Sequence, residues 1–151
     1  MVIPICMICE KKKPMAIYTV ITGKYDQPRT KPKELDVPCI LISNNEETKS
    51  YATQEGWEVY DLPNIPDSEF DMSSLRPSTR NLWLQRYLKI NPHVIKVLLD
   101  YEVVIWADGN LELSVEDVQN VKNLAKQNLA ADVLRKQHPN PKRKNSVARE
   151  L

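Results

Sequence analysis

The chain has 151 residues, of which 42% are hydrophobic, and this is enough for one compact domain with a buried core. Lys and Arg (21) nearly balance Asp and Glu (20), which argues against a protein that binds nucleic acid through its overall charge. The odd number of cysteines, 3, argues against a disulfide framework and favours a reducing compartment. With no recognisable secretory signal or membrane-spanning apolar run, we expect a soluble, cytoplasmic protein.

Four short segments rich in β-branched and aromatic residues predict β-strands. In chain order they are residues 16–22, 37–43, 57–62 and 103–106. The second segment is apolar on both faces, so we expect it at the centre of the sheet. Residues 44–47 are interpreted as the start of a polar connection, and residues 111–113 as a further short strand-like segment.

Apolar residues at three-to-four spacing predict two helices. The first begins at Pro77 and ends before Pro92, with its inner face formed by Leu82, Trp83, Arg86, Tyr87 and Ile90. Residues 93–100 are expected to add one more helical turn. The second helix, over residues 115–136, is expected to turn inward Val118, Val121, Leu124, Ala125, Leu129 and Val133.

This order of strands and helices is typical of an α/β protein with a mostly parallel sheet flanked by helices. Residues 1–14 are expected to be an irregular leader, and residues 15–151 a single α/β domain. If the strands are parallel, the loops at residues 22–26 and 107–110 open on the same edge of the sheet. A shared site at that edge is then possible, because ligands of such folds bind outside the carboxyl ends of the strands.

The loop after the fourth strand contains Asp108, Gly109 and Asn110. By itself, Asp-Gly is more often a simple turn than a metal site. As a site, Asp108 would bind Mg²⁺ or Mn²⁺, with Asn110 as a neutral oxygen ligand and the remaining positions left to phosphate and water. The cation would then act as a Lewis acid that stabilises charge on a leaving diphosphate.

Several other side chains are candidates for contact with such a ligand. Arg80, Arg86 and Lys89 would pair with phosphate oxygens, although a solvated helix face is the more common explanation of such a pattern. Tyr25 would stack on a base or, alternatively, cover the edge of the core. His138 lies among cations rather than core residues, which makes it a better ligand candidate than His93, whose position after Pro92 is typical of a residue at a helix end.

Common phosphate-binding motifs are absent from the sequence. It contains no G-x-x-x-x-G-K-[ST] loop and no G-x-G-x-x-G, and only 3 glycines in all. A phosphate site in this chain therefore has to depend on a metal ion and side chains. No Ser-His-Asp or Cys-His arrangement is suggested either, so the catalytic residues stay unassigned.

Taken together, four motifs resemble the glycosyltransferase-like family that includes plant cell-wall polysaccharide glycosyltransferases and a chlorella-virus capsid glycosyltransferase domain. The family patterns are Y-T-x-x-x-G-x-Y-D, R-x-x-K-x-x-P-H, W-x-D-G-[NK] and H-P-x-R with a later Glu. They match residues 18–26, 86–93 and 106–110, and more loosely His138 and Pro139 with Arg143, Ser146 and Glu150. Three residues separate the last His-Pro pair from its Arg, which departs from the family pattern.

The resemblance implies a GT-A-type fold that binds a nucleoside diphosphate sugar with the help of Mn²⁺ or Mg²⁺. The activity it implies is transfer of the sugar to a hydroxyl acceptor on a glycan or glycoprotein. On this footing Asp108 and Asn110 form the metal-binding motif. The implied nucleotide-sugar site contains Thr22, Gly23, Tyr25, Asp26, Arg80, Arg86, Lys89, Ala107, Asp108, Gly109 and His138.

Two other functions remain open at this point. GT-A domains are usually longer than this chain, so the acceptor-binding part is expected to be missing, and a non-catalytic nucleotide-sugar or glycan-binding module is the alternative. A weaker possibility is an acidic or nucleic-acid partner for the basic segment around Lys142, Arg143 and Lys144, whose binding would fall steeply with salt.

Overall fold

The computed structural model describes residues 11–65 and 74–127. These residues form β1 (Lys13–Ile21), β2 (Cys39–Ser43), α1 (Glu46–Gln54), β3 (Glu58–Asp61), α2 (Pro77–Ile90), β4 (Tyr101–Trp106) and α3 (Val115–Gln127). Two 3₁₀ helices, Pro92–Val94 and Lys96–Asp100, connect α2 to β4. The chain divides into two compact units, Met1–Val115 and Glu116–Leu151, and the sheet lies in the first.

The strands form one parallel sheet in the order β3-β2-β1-β4. The predictions of an α/β fold, a parallel sheet and an internal second strand are confirmed. β1 is internal as well, and its residues from Met15 to Ile21 are buried on both faces. Continuous burial of this kind is what a central strand of a parallel sheet requires, because helices or loops cover both of its sides.

The direction of winding changes once in the described sheet. From β1 the chain moves outward to β2 and β3, and it then crosses to the other side of β1 to form β4. Because parallel crossovers are nearly always right-handed, α1 and α2 are expected on opposite faces. In agreement, the core cluster on one face contains Leu88 of α2, whereas the buried α1 residues Thr48 and Ala52 lie outside it.

The predicted inner face of α2 was only partly correct, because Tyr87 does pack against the core cluster but is not the most buried residue of the helix. Leu88 is the fully buried residue of this helix, while Leu82 is 38% and Ile90 60% exposed. Leu88 packs in the cluster that contains Tyr18 and Val20 of β1, and this contact fixes the rotation of the helix. The helix bounds were predicted correctly, with Pro77 in the first turn and Asn91 as the C-cap. The helical turn predicted after Pro92 is also confirmed, as 3₁₀ helix.

Two other predictions near the strand ends were wrong. Residues 44–47 lead directly into a helix rather than a polar connection: α1 begins at Glu46, and the Asn45 side chain caps it by accepting a hydrogen bond from the Thr48 N–H at 2.9 Å. Residues 111–113 form no strand. Instead the Leu111 N–H donates to the Asp108 carbonyl at 2.9 Å, which closes a turn and leaves Leu111 54% exposed.

α3 begins at Val115 as predicted, and it is described as far as Gln127. Val118 and Ala125 are buried as expected, but Leu124 is 48% exposed, so its place on the inner face was wrong. The remaining residues of the predicted helix, Leu129 and Val133, lie outside the described residues, as do His138, Arg143 and Glu150. Among the described helices, none is long and apolar enough to cross a membrane.

Candidate functional site

The two loops that the sequence singled out are neighbours at the carboxyl edge of the sheet. β1 and β4 pair in parallel with Tyr18 opposite Trp106, and the Ala107 N–H donates to the Tyr18 carbonyl at 3.0 Å. The expectation that both loops open on one edge is confirmed. The direction of winding reverses between these same strands, and ligands of open α/β sheets bind in the crevice at such a switch point.

The loop after β1 turns sharply at Gly23, whose φ of 61° lies in the left-handed region that favours glycine. Its N–H donates to the Asn44 side-chain oxygen at 2.8 Å, and its carbonyl accepts from the Thr48 hydroxyl at 3.4 Å. These contacts hold the loop against the end of β2 and the first turn of α1.

A second group of hydrogen bonds connects the same loop to α2. The buried Thr22 hydroxyl donates to the Asn81 carbonyl at 2.7 Å, and the Asn44 side-chain amide donates to the Asn81 side-chain oxygen at 3.2 Å. Asn44 therefore bridges Gly23 and α2. The position of the loop is set by neutral groups that lie far apart in the sequence.

Between the β1 loop and the first half of α2 lies a cleft of about 380 Å³. Its lining residues are Thr22, Gly23, Lys24, Tyr25, Ser78, Thr79, Asn81, Leu82 and Gln85. Most of these residues carry a hydroxyl or a side-chain amide group, and the lining contains neither a carboxylate nor a histidine. Tyr25 is 69% exposed, so its ring is available for stacking against a ligand in the cleft.

The one charged residue of the cleft, Lys24, forms an ion pair with Glu47 at 2.6 Å. The hydrogen bond and the charge of Glu47 raise the pKa of Lys24, and the same two effects lower the pKa of Glu47. Both side chains are about three-quarters exposed, so the pair contributes little to stability. It does hold a positive charge at the opening of the cleft.

The turn after β4 is held by close packing and by backbone hydrogen bonds, in which the Ala107 N–H donates to the Tyr18 carbonyl and the Leu111 N–H donates to the Asp108 carbonyl. Gly109 is buried, and a Cβ added there would lie 2.7 Å from Cδ1 and 2.9 Å from Cγ1 of Ile21. Ile21 itself is 1% exposed and cannot easily move away. The glycine is therefore required because the backbone approaches a neighbouring core residue.

Asp108 projects into a small cluster of aromatic and charged groups. Its Oδ1 accepts from the Trp106 indole N–H at 2.8 Å and lies 3.8 Å from the Lys89 ammonium. The Lys89 Nζ also lies 5.3 Å from the centre of the Trp106 ring, a cation–π distance. The Tyr18 hydroxyl donates to the Lys89 carbonyl at 3.0 Å, and burial raises the pKa of this tyrosine.

The other predicted site residues are not brought into one place. Arg80 is half-buried, and its guanidinium donates at 3.4 Å to the carbonyl of Leu75, which lies just before the start of α2. Arg86 is exposed on α2 and Asp26 is half-buried in the β1 loop. Neither Asp26 nor either arginine lines the cleft. His138 lies outside the described residues.

The residues at the end of β4 fit a divalent cation poorly. Asp108 is the one carboxylate of the predicted pair, and a lysine ammonium already lies 3.8 Å from its Oδ1. The backbone carbonyl of Asn110, the second predicted ligand, accepts from Arg29 Nε at 3.4 Å. Across residues 11–65 and 74–127, no three His, Cys, Asp or Glu side chains are placed to share a metal ion.

Sequence reasoning missed several residues that form the site. Asn44, Ser78, Thr79, Asn81 and Gln85 are neutral, and they belong to no motif that the sequence analysis recognised. A signal for some of them did exist, because Pro77 marks the start of a helix. In an α/β unit, the helix before a strand starts at the carboxyl edge of the sheet. Arg29 lies in the loop between β1 and β2, and no motif singled it out.

The fold and this edge define an α/β protein whose candidate ligand site lies at the switch point between β1 and β4. Comparisons of the chain with protein-family models, with curated proteins and with solved structures each find no match.

Proposed function

We propose that this chain binds a nucleoside diphosphate sugar at the carboxyl ends of β1 and β4 and transfers the sugar to a hydroxyl acceptor. The observation that carries the proposal is the winding of the sheet. The two loops of the family-like motifs, 22–26 and 107–110, follow the adjacent strands between which the winding reverses. This is the place where α/β folds of this kind bind nucleotides.

Each part of the edge suits a different part of the donor. The cleft beside Thr22, Asn81 and Gln85, in which Lys24 is the one charged lining residue, offers hydroxyl and amide groups that match a nucleoside or a sugar, and Tyr25 offers an exposed ring for stacking. Lys89 lies one helical turn beyond Gln85, about 6 Å along the helix axis at 1.5 Å per residue. An extended diphosphate would reach from the cleft to this ammonium.

The implied Mn²⁺ or Mg²⁺ at Asp108 and Asn110 is the part of the expectation that the geometry supports least. If a cation is bound, it would supply Lewis-acid stabilisation of the leaving diphosphate. The functions of the chain's own residues do not depend on it. The cleft orients the nucleoside, and the cations at the β4 turn stabilise negative charge on the phosphates.

A second candidate function is a binding module without transferase activity, for nucleotide sugars or glycans. The observation that favours it is the composition of the cleft, whose lining contains no carboxylate and no histidine that would serve as a general base. A glycan would be bound by the same hydroxyl and amide groups.

Thermal unfolding of the full chain with UDP-glucose, GDP-mannose and dTDP-glucose tests donor binding. A ligand that binds only the native state raises the melting temperature, by the equivalent of about 2.7 kcal/mol at 100 times its Kd. We expect a shift with one nucleotide. The variant Gln85→Leu should weaken it, whereas Gln119→Leu on α3 should leave it unchanged. No shift with any donor, in a protein that unfolds cooperatively, would contradict donor binding.

Incubation with the donor that binds separates the two functions. Release of the nucleoside diphosphate, measured by chromatography with and without added sugar acceptors, is expected for a transferase. A protein that binds the donor but releases no diphosphate is a binding module.

A further inference from the structure

Two side-chain cations flank the turn after β4. Lys89 Nζ lies 3.8 Å from the Asp108 carboxylate, and Arg29 Nε donates to the Asn110 carbonyl at 3.4 Å. The first comes from α2 and the second from the loop between β1 and β2, so separate elements bring both to this turn. Lys89 therefore lies beside the Asp108 carboxylate and Arg29 beside Asn110, the two residues that a metal ion at this turn would use as ligands.

The formal charge of this group is positive. One carboxylate (Asp108) and two cations (Lys89 and Arg29) give −1 + 2 = +1. A divalent cation would add two more positive charges beside an ammonium, and like charges this close repel one another strongly. A diphosphate, in contrast, carries negative charge that this net positive group would attract, and it could contact both cations without a metal ion.

The Lys89 ammonium is held in place but still has hydrogen-bonding capacity. The Trp106 ring lies 5.3 Å from it, and the Trp106 N–H fixes the Asp108 oxygen that it faces. Its side chain is 47% exposed, so donors of the ammonium remain available on the solvent side. Lysine is a common phosphate ligand that acts as a compact point charge.

We infer that Lys89 and Arg29 take the place of a divalent cation, and that the chain binds the diphosphate of its donor without metal. This inference rests on the proposed function, because it concerns the same ligand and the same edge of the sheet. Asp108 then acts as a positioning residue. Together with Trp106 it holds the ammonium at the turn, and it does not act as a metal ligand.

The test measures the affinity of the full chain for inorganic pyrophosphate and for UDP-glucose, GDP-mannose and dTDP-glucose. Each is titrated by calorimetry, once in EDTA and once in MnCl₂. We expect the donor that binds to have the same affinity in both. Lys89→Met should weaken binding in EDTA by about 10- to 100-fold, the effect of losing a hydrogen bond to a charged group. Lys89→Arg should retain most of the affinity.

One control shows that the effect is local, and a second pair of variants tests Arg29. Lys96→Met removes an exposed lysine from the 3₁₀ helix that precedes β4 and should leave the affinity unchanged. Arg29→Met should weaken binding in the same direction as Lys89→Met, whereas Arg29→Lys should lose less. Circular dichroism of each variant confirms that it folds, which is expected because Lys89 and Arg29 are both exposed.

A measurement without donor gives a second readout. Binding of Mn²⁺ to the wild type and to Lys89→Met is followed by electron paramagnetic resonance. We expect the wild type to leave Mn²⁺ free in solution. A stoichiometric Mn²⁺ site that Asp108→Asn abolishes would overturn the inference.

The outcomes distinguish this inference from the proposed function. Donor affinity that appears only with MnCl₂, or that is unchanged in Lys89→Met, overturns the inference and leaves donor binding standing. A chain that binds none of the three donors in either buffer overturns the proposed function, and the inference fails with it.

Discussion

The two loops at the carboxyl edge of the sheet are built on different principles. The loop after β1 is held by neutral hydrogen bonds from Asn44, Thr48 and Asn81, and it borders a cleft. The turn after β4 is held by the packing of Gly109 on Ile21 and by backbone hydrogen bonds, and it carries the exposed side chains of Asp108 and Asn110 beside the half-buried Trp106. The Asp108-Gly109-Asn110 turn therefore lies outside the lining of the cleft, whereas the motif residues of the β1 loop form part of it.

This difference indicates a division of roles. Side-chain hydrogen bonds in the β1 loop maintain the structure and shape the cleft. The β4 turn depends on packing and backbone hydrogen bonds instead, so its exposed charged side chains can contact a ligand at little cost in stability. We therefore expect stability to depend on side-chain hydrogen bonds in the β1 loop and on the packing of Gly109 in the β4 turn. The four predictions below test this contrast, from the largest expected effect to the smallest.

Gly109→Ala should destabilise the protein by about 1–3 kcal/mol, the usual effect of overpacking a well-filled core. The added methyl group would lie 2.7 Å from Ile21 Cδ1, and the buried isoleucine has little room to move. Urea unfolding measures the change. Asn110→Ala, at the next and exposed position, is the control and should stay within about 0.5 kcal/mol of the wild type. Equal effects of the two substitutions would contradict packing of the turn.

Gly23→Ala should destabilise by about 1–2 kcal/mol, because an L-residue is strained in the left-handed region. The φ of Gly23 is 61°, and the new Cβ would also lie 3.0 Å from the Asn81 side-chain nitrogen. The same unfolding measurement applies, with the exposed neighbour Lys24→Ala as its control. A Gly23→Ala variant as stable as wild type would show that the loop adopts another backbone conformation.

Asn44→Ala should destabilise by about 0.5–1.5 kcal/mol, the range for loss of a typical hydrogen bond. It removes the acceptor of the Gly23 N–H and the donor to Asn81. A double-mutant cycle with Asn81→Ala isolates their interaction, and we expect the two changes not to add. Asn64→Ala, in an exposed connection, serves as the control. Strict additivity would mean that the bridge between the two residues contributes nothing.

Asp108→Asn should change the free energy of unfolding by less than about 0.5 kcal/mol, as is usual for an exposed ion pair. The Asp108 side chain is 69% exposed and the asparagine oxygen can still accept from Trp106. A thermal scan at low and high salt checks this. A large loss of stability would show that the turn depends on its charges and would remove the contrast between the loops.

The sheet was largely predictable from the sequence because its strands are local runs of β-branched residues. All four were found, and their order with the two predicted helices led to the expectation of a mostly parallel sheet. α1 was missed because it has almost no apolar period, with only Thr48 and Ala52 buried. Its signal was the Asn45 cap followed by two glutamates, a capping pattern rather than a hydrophobic one.

The orientation of α2 was not predictable from its own residues. Its apolar side chains surround much of the helix, so several faces satisfied the helical period. Contact with Tyr18 and Val20 of β1 selected the face that contains Leu88. The orientation is therefore set by tertiary contacts, because the sequence of a single helix does not specify which strand the helix will cover.

The candidate site was predictable in its place but not in its composition. The Asp108-Gly109 pair and the Gly23 loop were identified because glycine and carboxylate residues after strands carry a recognisable signal. The amides of Asn44 and Asn81 carry none, since they lie 37 residues apart and their partners are set by the fold. The cation at Asn110 was missed for the same reason, because Arg29 and Asn110 are 81 residues apart.

The close contact between Gly109 and Ile21 restricts which substitutions can accumulate at these two positions during evolution. The two positions share one small volume, so a change at either is tolerated only with a compensating change at the other. A chain with alanine at 109 would need valine or a smaller residue at 21, and the double variant Ile21→Val with Gly109→Ala should recover part of the lost stability. In homologous sequences, positions 21 and 109 are therefore expected to vary together.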